Sequence, residues 1–268
     1  MQPLPPAQLR SENRRRVFAL LREKEIRAER LRQSNPEGGL LEFIRYFWRI
    51  LEPVDEFHEG WTLECLCAHL EAITRGDSIT LAGEERTFNR FLCNVPPGFM
   101  KSLTVNVFWP AWEWGPMGLP HLRYVAFSYA SELTERDNAK FRDLVCCDAY
   151  KELWGHVFKV IGDPKAGKIR VTNDKTGFKF ASSFGGVGTG ERGHRVLLDD
   201  PHKLKGTQES AEARLAITTW VREAMQNRLN DLSRDAIIVI MQRVHEEDAS
   251  GAIMKYLGDE YCHLIVPM

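Results

Sequence analysis

No stretch of the sequence approaches the ~18 apolar residues that a membrane-spanning helix needs, and the N-terminus lacks an apolar signal core. A soluble, intracellular protein is the expectation. Six cysteines are present, yet none form a C-x-x-C pair or a zinc-finger spacing. Buried free thiols in a reducing compartment are therefore expected, not a disulfide frame or a zinc module. Charge of one sign is missing as well: 36 Lys and Arg against 37 Asp and Glu leave a net charge of −1. The near balance neither requires nor excludes a nucleic-acid partner, because partners feel local patches. Between Arg10 and Arg32 basic residues do outnumber acidic ones. With 43% hydrophobic and 27% charged residues the composition is that of an ordinary globular protein. The 268 residues suffice for one large α/β domain or two small ones.

One further absence concerns glycine. Asn94-Val95-Pro96-Pro97-Gly98-Phe99-Met100-Lys101-Ser102 joins an apolar strand-like run to a segment that reads as a helix beginning Lys-Ser. A strand, a tight loop and a helix opening on Lys-Ser is the layout of a phosphate-binding loop: backbone N–H groups face an anion, the lysine adds a charge, and the hydroxyl can hold magnesium. The usual pattern, G-x-x-x-x-G-K-[ST], has glycines where this chain has Val95 and Met100. Lysine also opposes the helix dipole at a helix start, a local penalty that a bound anion would remove. Pro96-Pro97-Gly98 supplies a stiff turn with one permissive residue.

Along the chain, a charged helix is expected from about Arg10 to Gln33, followed by a boundary at Ser34–Gly39. This gives an N-terminal arm, 1–39, and a main domain, 40–268. The periodicity predicts helices over Leu40–Leu51, Trp61–Arg75, Ser131–Cys146, Ser210–Leu229 and Asp248–Leu257. Strands are expected at Phe88–Val95, Leu122–Ser128, Arg195–Asp200, Ala236–Met241 and His263–Val266. Lys168–Val171 and Phe178–Ser182 read as a hairpin. Continuous apolar strands alternating with helices indicate an α/β fold, a mostly parallel sheet sandwiched between helices. In such sheets ligands bind outside the carboxyl ends of the strands, where the Lys101 loop, Ser128, Asp199-Asp200 and Gln242-Arg243 all fall.

Those ends carry the chemistry of triphosphate hydrolysis. One carboxylate must orient magnesium and another the attacking water, and Asp199 and Asp200 suit these roles in that order. Arg192, in the glycine-rich segment 185–193, is a candidate for neutralising charge on a transferring phosphoryl group. Gln242 is placed to sense the γ-phosphate and Arg243 to bind a phosphate or carboxylate. His245, Glu246, Glu247 and Asp248 match no zinc spacing, and Asp248 reads as the cap of the following helix. His58 and Trp61, ahead of the loop, are candidates for contacting a base.

The ordered set Asn-x-Pro-Pro-Gly-x-x-Lys-Ser, Trp-Pro-Ala-Trp at 109–112, Phe-Ser-Tyr-Ala at 127–130, Thr-Gly-x-Arg-Gly at 189–193, Leu-Leu-Asp-Asp-Pro at 197–201 and Met-Gln-Arg-x-His-x-x-Asp-x-x-Gly at 241–251 resembles the ATPase half of a tailed-phage terminase large subunit. The resemblance runs from about Leu40 onward. It implies a P-loop NTPase fold of the additional-strand (ASCE) type, with ATP and Mg2+ as cofactors. Hydrolysis would drive double-stranded DNA into a procapsid in the host cytoplasm. It also implies a ring, commonly a pentamer, that works with the portal protein and the small terminase subunit. Carried over, Pro97, Gly98, Phe99, Met100, Lys101, Ser102 and Leu103 correspond to the nucleotide-binding loop, and Ser102 and Asp199 to the metal positions. Lys101, Asp200, Arg192 and Gln242 correspond to catalytic positions, Arg192 being similar to a finger offered to a neighbouring subunit.

Two departures stand out. Many members have an Arg where this chain has Gly98, and many have a Glu where it has Asp200. The family's nuclease half is not expected in this chain, whose last residues fall about where a linker to it would start. Two other expectations compete: a helicase-like nucleic-acid translocase, and a structural ring scaffold that uses the fold without hydrolysis.

Overall fold

The structure is a computed structural model that describes residues 6–32, 39–81, 83–162, 168–183, 190–203 and 210–267. Eight strands form one sheet. In chain order these are β3 (Arg90–Asn94), β4 (Arg123–Ser128), β5 (Val160–Ile161), β6 (Arg170–Asn173), β7 (Phe178–Ser183), β8 (Arg195–Asp199), β9 (Ala236–Met241) and β10 (Cys262–Ile265). A separate two-stranded hairpin, β1 (Ile79–Leu81) and β2 (Glu84–Arg86), precedes them. The spatial order is β10-β3-β9-β8-β4-β7-β6-β5. The six strands from β10 to β7 are mutually parallel, and β6 and β5 continue the sheet antiparallel. The mostly parallel α/β sheet is thus as expected, and so is the hairpin of β6 and β7.

Strand parity assigns the two faces. Phe91, Cys93, Tyr124, Ala126, Leu197, Ile238 and Ile240 pack on one side. That side is covered by α2 (Gly39–Leu51), α3 (Trp61–Arg75), α6 (Ser131–Cys146), α7 (Asp148–Trp154) and the helix that starts at Lys101. Leu92, Val125, Phe127, Val196, Leu198, Ile237 and Val239 face the other side, under α8 (Ala211–Glu223) and α9 (Ala249–Leu257). Burial on both faces is why these strands read as unbroken apolar runs. The helix expected over Ser210–Leu229 ends at Glu223 and gives way to a 3-10 turn, Gln226–Arg228. Its cap is Ser210, whose side chain accepts from the Ala213 N–H.

The N-terminal helix α1 (Pro6–Arg32) docks at its C-terminal end. Leu31 is buried, and its carbonyl accepts from Trp112 Nε1 at 2.7 Å. Val17, Leu20 and Leu21, further back, are exposed. The expected boundary at Ser34–Gly39 lies outside the described residues except for Gly39. No helix among the described residues is long and apolar enough to cross a membrane.

One buried polar cluster fastens the amino-terminal edge of the sheet. Glu113 has no solvent exposure and accepts from Arg195 Nη2 at 2.6 Å, Thr74 Oγ1 at 3.0 Å and Tyr124 OH at 2.6 Å. The Arg195 guanidinium also lies 5.5 Å from the Trp109 ring centroid. Removing one partner strands the other charge in a dry interior, a cost of about 3–5 kcal/mol, whereas replacing both with apolar groups is often tolerated. Glu113→Ala should therefore lower the urea midpoint by an amount equivalent to about 3–5 kcal/mol, and Glu113→Leu with Arg195→Met by much less. Equal losses in the two variants would show that packing, not stranded charge, dominates.

Candidate nucleotide-binding site

The loop after β3 begins as sheet: the Val95 N–H donates to the Met241 carbonyl at 3.1 Å, extending the pairing of β3 with β9. Asn94 ties four elements together. Its Nδ2 donates to the Met241 carbonyl, and its Oδ1 accepts from Ser250 Oγ at 2.8 Å and meets His263 Nε2 at 2.7 Å. Gly98 has φ 89° and Met100 φ 56°, so both take the left-handed backbone. Met100 stands where the phosphate-loop pattern has glycine and holds the conformation glycine adopts freely. Helix α4 (Lys101–Leu103) follows at once, with the Thr104 N–H and hydroxyl both donating to the Met100 carbonyl, at 2.9 and 3.0 Å. Pro97, Gly98 and Phe99 are exposed, whereas Met100 and Leu103 lean on the core.

Lys101 reaches across the end of β9 and forms an ion pair with Asp200, Nζ to Oδ2 at 2.9 Å. Its side chain is 7% exposed, so this is a sheltered contact. Asp200 has φ 38°, and its N–H donates to the Ile240 carbonyl at 3.0 Å. Its Oδ1 accepts from the Gln242 N–H at 3.1 Å. Asp199, one residue earlier, points by parity to the face covered by the Lys101 helix. There its Oδ2 accepts from Asn106 Nδ2 at 3.0 Å. Burial, aided by the charge of Asp200, pushes the Asp199 carboxyl up to about 7, and the nearby Ser102 hydroxyl pulls it back. Lys101, Ser102, Asp199, Asp200 and Gln242 therefore meet at one edge of the sheet.

Arg192 does not join them. It is exposed and precedes the start of β8, beside His194, whose N–H bonds the carbonyl of Arg123 at the start of β4. The carboxylates lie at the other end of β8, about 13 Å along four strand residues. The glycines from 185 to 189 lie outside the described residues. Arg243 is committed to a carboxylate of its own chain: Nε donates to Asp248 Oδ2 at 3.0 Å. Asp248 caps α9, as expected, by accepting from the Gly251 N–H at 2.8 Å. His245, Glu246 and Glu247 are exposed.

Beside the loop lies a cavity of about 360 Å³ lined by Trp48, His58, Trp61, Phe99 and Met100, among others. Its volume is that of a small-ligand pocket, about 300–1,000 Å³, and it contains both residues singled out as base contacts. Trp61 and Phe99 present exposed ring surface there. Among the described residues no group of three or more His, Cys, Asp or Glu could hold a metal. Magnesium does not need one, since it binds through one or two carboxylates plus waters and substrate phosphates. Asp199, with one buried oxygen lacking a partner, and Ser102 beside it fit that mode. Asn106 escaped sequence reading because a helical asparagine has no signature. Compared with models of known protein families and with curated proteins, the chain matches none.

The raised Asp199 carboxyl has a consequence for stability. An unfolded aspartate titrates near about 3.9, so between about pH 4 and pH 7 the folded chain holds more protons than the unfolded one. That contribution is full below the unfolded value and is lost as pH rises through the folded one. Without divalent cations, stability should fall more steeply from about pH 4 to pH 7 in the native chain than in Asp199→Asn. Urea midpoints across that range measure the difference; parallel profiles would mean that Asp199 is ionised throughout.

Proposed function

We propose that the chain is a magnesium-dependent ATPase of the additional-strand P-loop type, the engine of a phage terminase large subunit. The observation that carries this reading is topological. The strand before the Lys101 loop and the strand ending in Asp199-Asp200 are separated by one inserted strand, β9, with the lysine and both acids at the same edge. Six ordered sequence motifs that resemble the terminase family support the narrower assignment.

In this reading the triphosphate enters over Gly98–Ser102, with the base in the cavity of Trp61 and Phe99. Ser102 and Asp199 would hold magnesium, which would supply charge neutralisation for the phosphates. Lys101 exchanges its ion pair with Asp200 for the phosphates. Asp200 Oδ2 is then free to accept a hydrogen from the attacking water. Water oxygen bonds to the γ-phosphorus as the bond to the bridging oxygen breaks, giving ADP and phosphate. Asp200 stays tied to Gln242 through Oδ1, which links the state of the phosphates to the segment after β9.

The remaining partners follow from the resemblance: double-stranded DNA, a homo-oligomeric ring, the portal protein and the small terminase subunit, acting in the host cytoplasm. Arg192 suits action on a neighbouring subunit, because its own carboxylates are at the far end of β8. Phosphate-release assays should show magnesium-dependent ATP hydrolysis that Lys101→Ala lowers by about 10²-fold or more. Hydrolysis by Lys101→Ala at the native rate would sink the reading. Arg192→Ala alone should also lose turnover while still binding ATP. Mixing it with Lys101→Ala should restore part of the activity, since each ring would then contain interfaces with both residues intact. No recovery in mixed rings would remove Arg192 from that role.

A further inference from the structure

Thr104–Phe108 is a π-helical turn between α4 and α5 (Trp109–Trp114). Its closing bond runs from the Trp109 N–H to the Thr104 carbonyl, one residue wider than an α-turn. Pro110 has no N–H to give to the Asn106 carbonyl, so the ordinary ladder is interrupted here. Insertions of this kind re-aim side chains and recur at functional sites. The re-aimed residue is Asn106, 1% exposed, whose amide bonds Asp199.

That pair is incomplete. Asn106 Oδ1 and Asp199 Oδ1 are both buried, and neither has a hydrogen-bond partner. With the Asp199 carboxyl ionised both are acceptors; the Ser102 hydroxyl beside Asp199 is one donor within reach, and Asn106 Oδ1 still lacks one. Lys179, the nearby ammonium that senses the Asp199 charge, gives its hydrogen bond to Asn138 Oδ1 at 3.0 Å. A hydrated divalent cation is a donor of the right kind, because magnesium keeps several of its waters when bound.

We propose that Asn106 is a positioning residue for the divalent cation. Its NH2 holds Asp199 Oδ2, so that Oδ1 stays turned to the cation's shell, and its own carbonyl accepts a hydrogen from a cation-bound water. The proposal rests on the ATPase reading and adds to it a residue outside every motif singled out from the sequence. Partners of this outer kind alter metal affinity by about 10–100-fold when removed.

The test is calorimetric titration of ATP into the full chain, in EDTA and across a series of magnesium concentrations, for the native protein, Asn106→Ala and the volume-preserving Asn106→Leu. Expected is an unchanged ATP affinity in EDTA, with the magnesium needed for half-maximal tightening raised about 10–100-fold in both variants. If Asn106→Ala does not fold, Asn106→Leu decides. A native magnesium midpoint in the variants overturns the role of Asn106 and leaves the ATPase reading standing. An equal loss of affinity with and without magnesium overturns it too, as a merely structural effect. Failure of the native chain to bind ATP with magnesium would overturn the ATPase reading and this inference together.

Discussion

The contact between Lys101 and Asp200 spans two strand spacings, because β9 lies between the strands that carry them. Neighbouring strands sit about 4.8 Å apart, so the loop and the acid start roughly 10 Å from each other. Only a long side chain leaning over the end of β9 closes that gap. The geometry works because β3, β9 and β8 are parallel and in register: Asn94 pairs with Met241, and Ile240 with Asp199. A slip of one residue would turn Asp199 away from Asn106 and put Leu198 in its place. The site is therefore a property of the sheet's register, which the apolar residues on both faces hold fixed.

Rigidity and strain are divided between the two edges of that sheet. The amino-terminal edge carries Arg195, Glu113, Tyr124 and Thr74, a closed network in which each charged group has partners. The carboxyl edge carries the left-handed Met100 and Asp200, the π-helical turn and the partnerless oxygens of Asn106 and Asp199. Backbone conformations of this sort survive where the surroundings over-determine them, and they gather at functional sites. Of the three non-glycine residues with positive φ among the described residues, Met100 and Asp200 lie at the same ion pair, while Thr176 sits in the turn between β6 and β7. Aspartate is among the side chains that best tolerate this backbone region, which suits Asp200 to its place.

Most of the fold was legible because the strands are buried on both faces and α8 and α9 start on the capping side chains of Ser210 and Asp248. Ala236–Met241 and Ser131–Cys146 have the expected bounds, and Asp248 has the expected capping role. Charged helix ends were harder: Gln226–Arg228 continues the polar pattern of α8 but closes as a 3-10 turn. Of the site, the lysine, both acids and Gln242 were readable from their places after apolar strands. Arg192 is near β8 in sequence but lies at the end of the strand opposite the carboxylates, which only the direction of the strand reveals. Asn106 was invisible, because its placement depends on a widened turn that ends directly before the pair Trp109-Pro110.

The Asp200 side chain touches both halves of the site, Lys101 through Oδ2 and the Gln242 backbone through Oδ1. Any anion that draws Lys101 away leaves Oδ2 with a new partner to find, while Oδ1 is still anchored. The carboxylate must then turn about the Gln242 contact, or pull the segment after β9 with it. That segment runs directly into Arg243 and Asp248, whose bond fixes the start of α9. Ser250 on the same helix bonds Asn94 at the root of the loop. A closed circuit of direct contacts thus joins the Lys101 loop, the acid, the end of β9 and α9, and a change at Lys101 is felt beyond it.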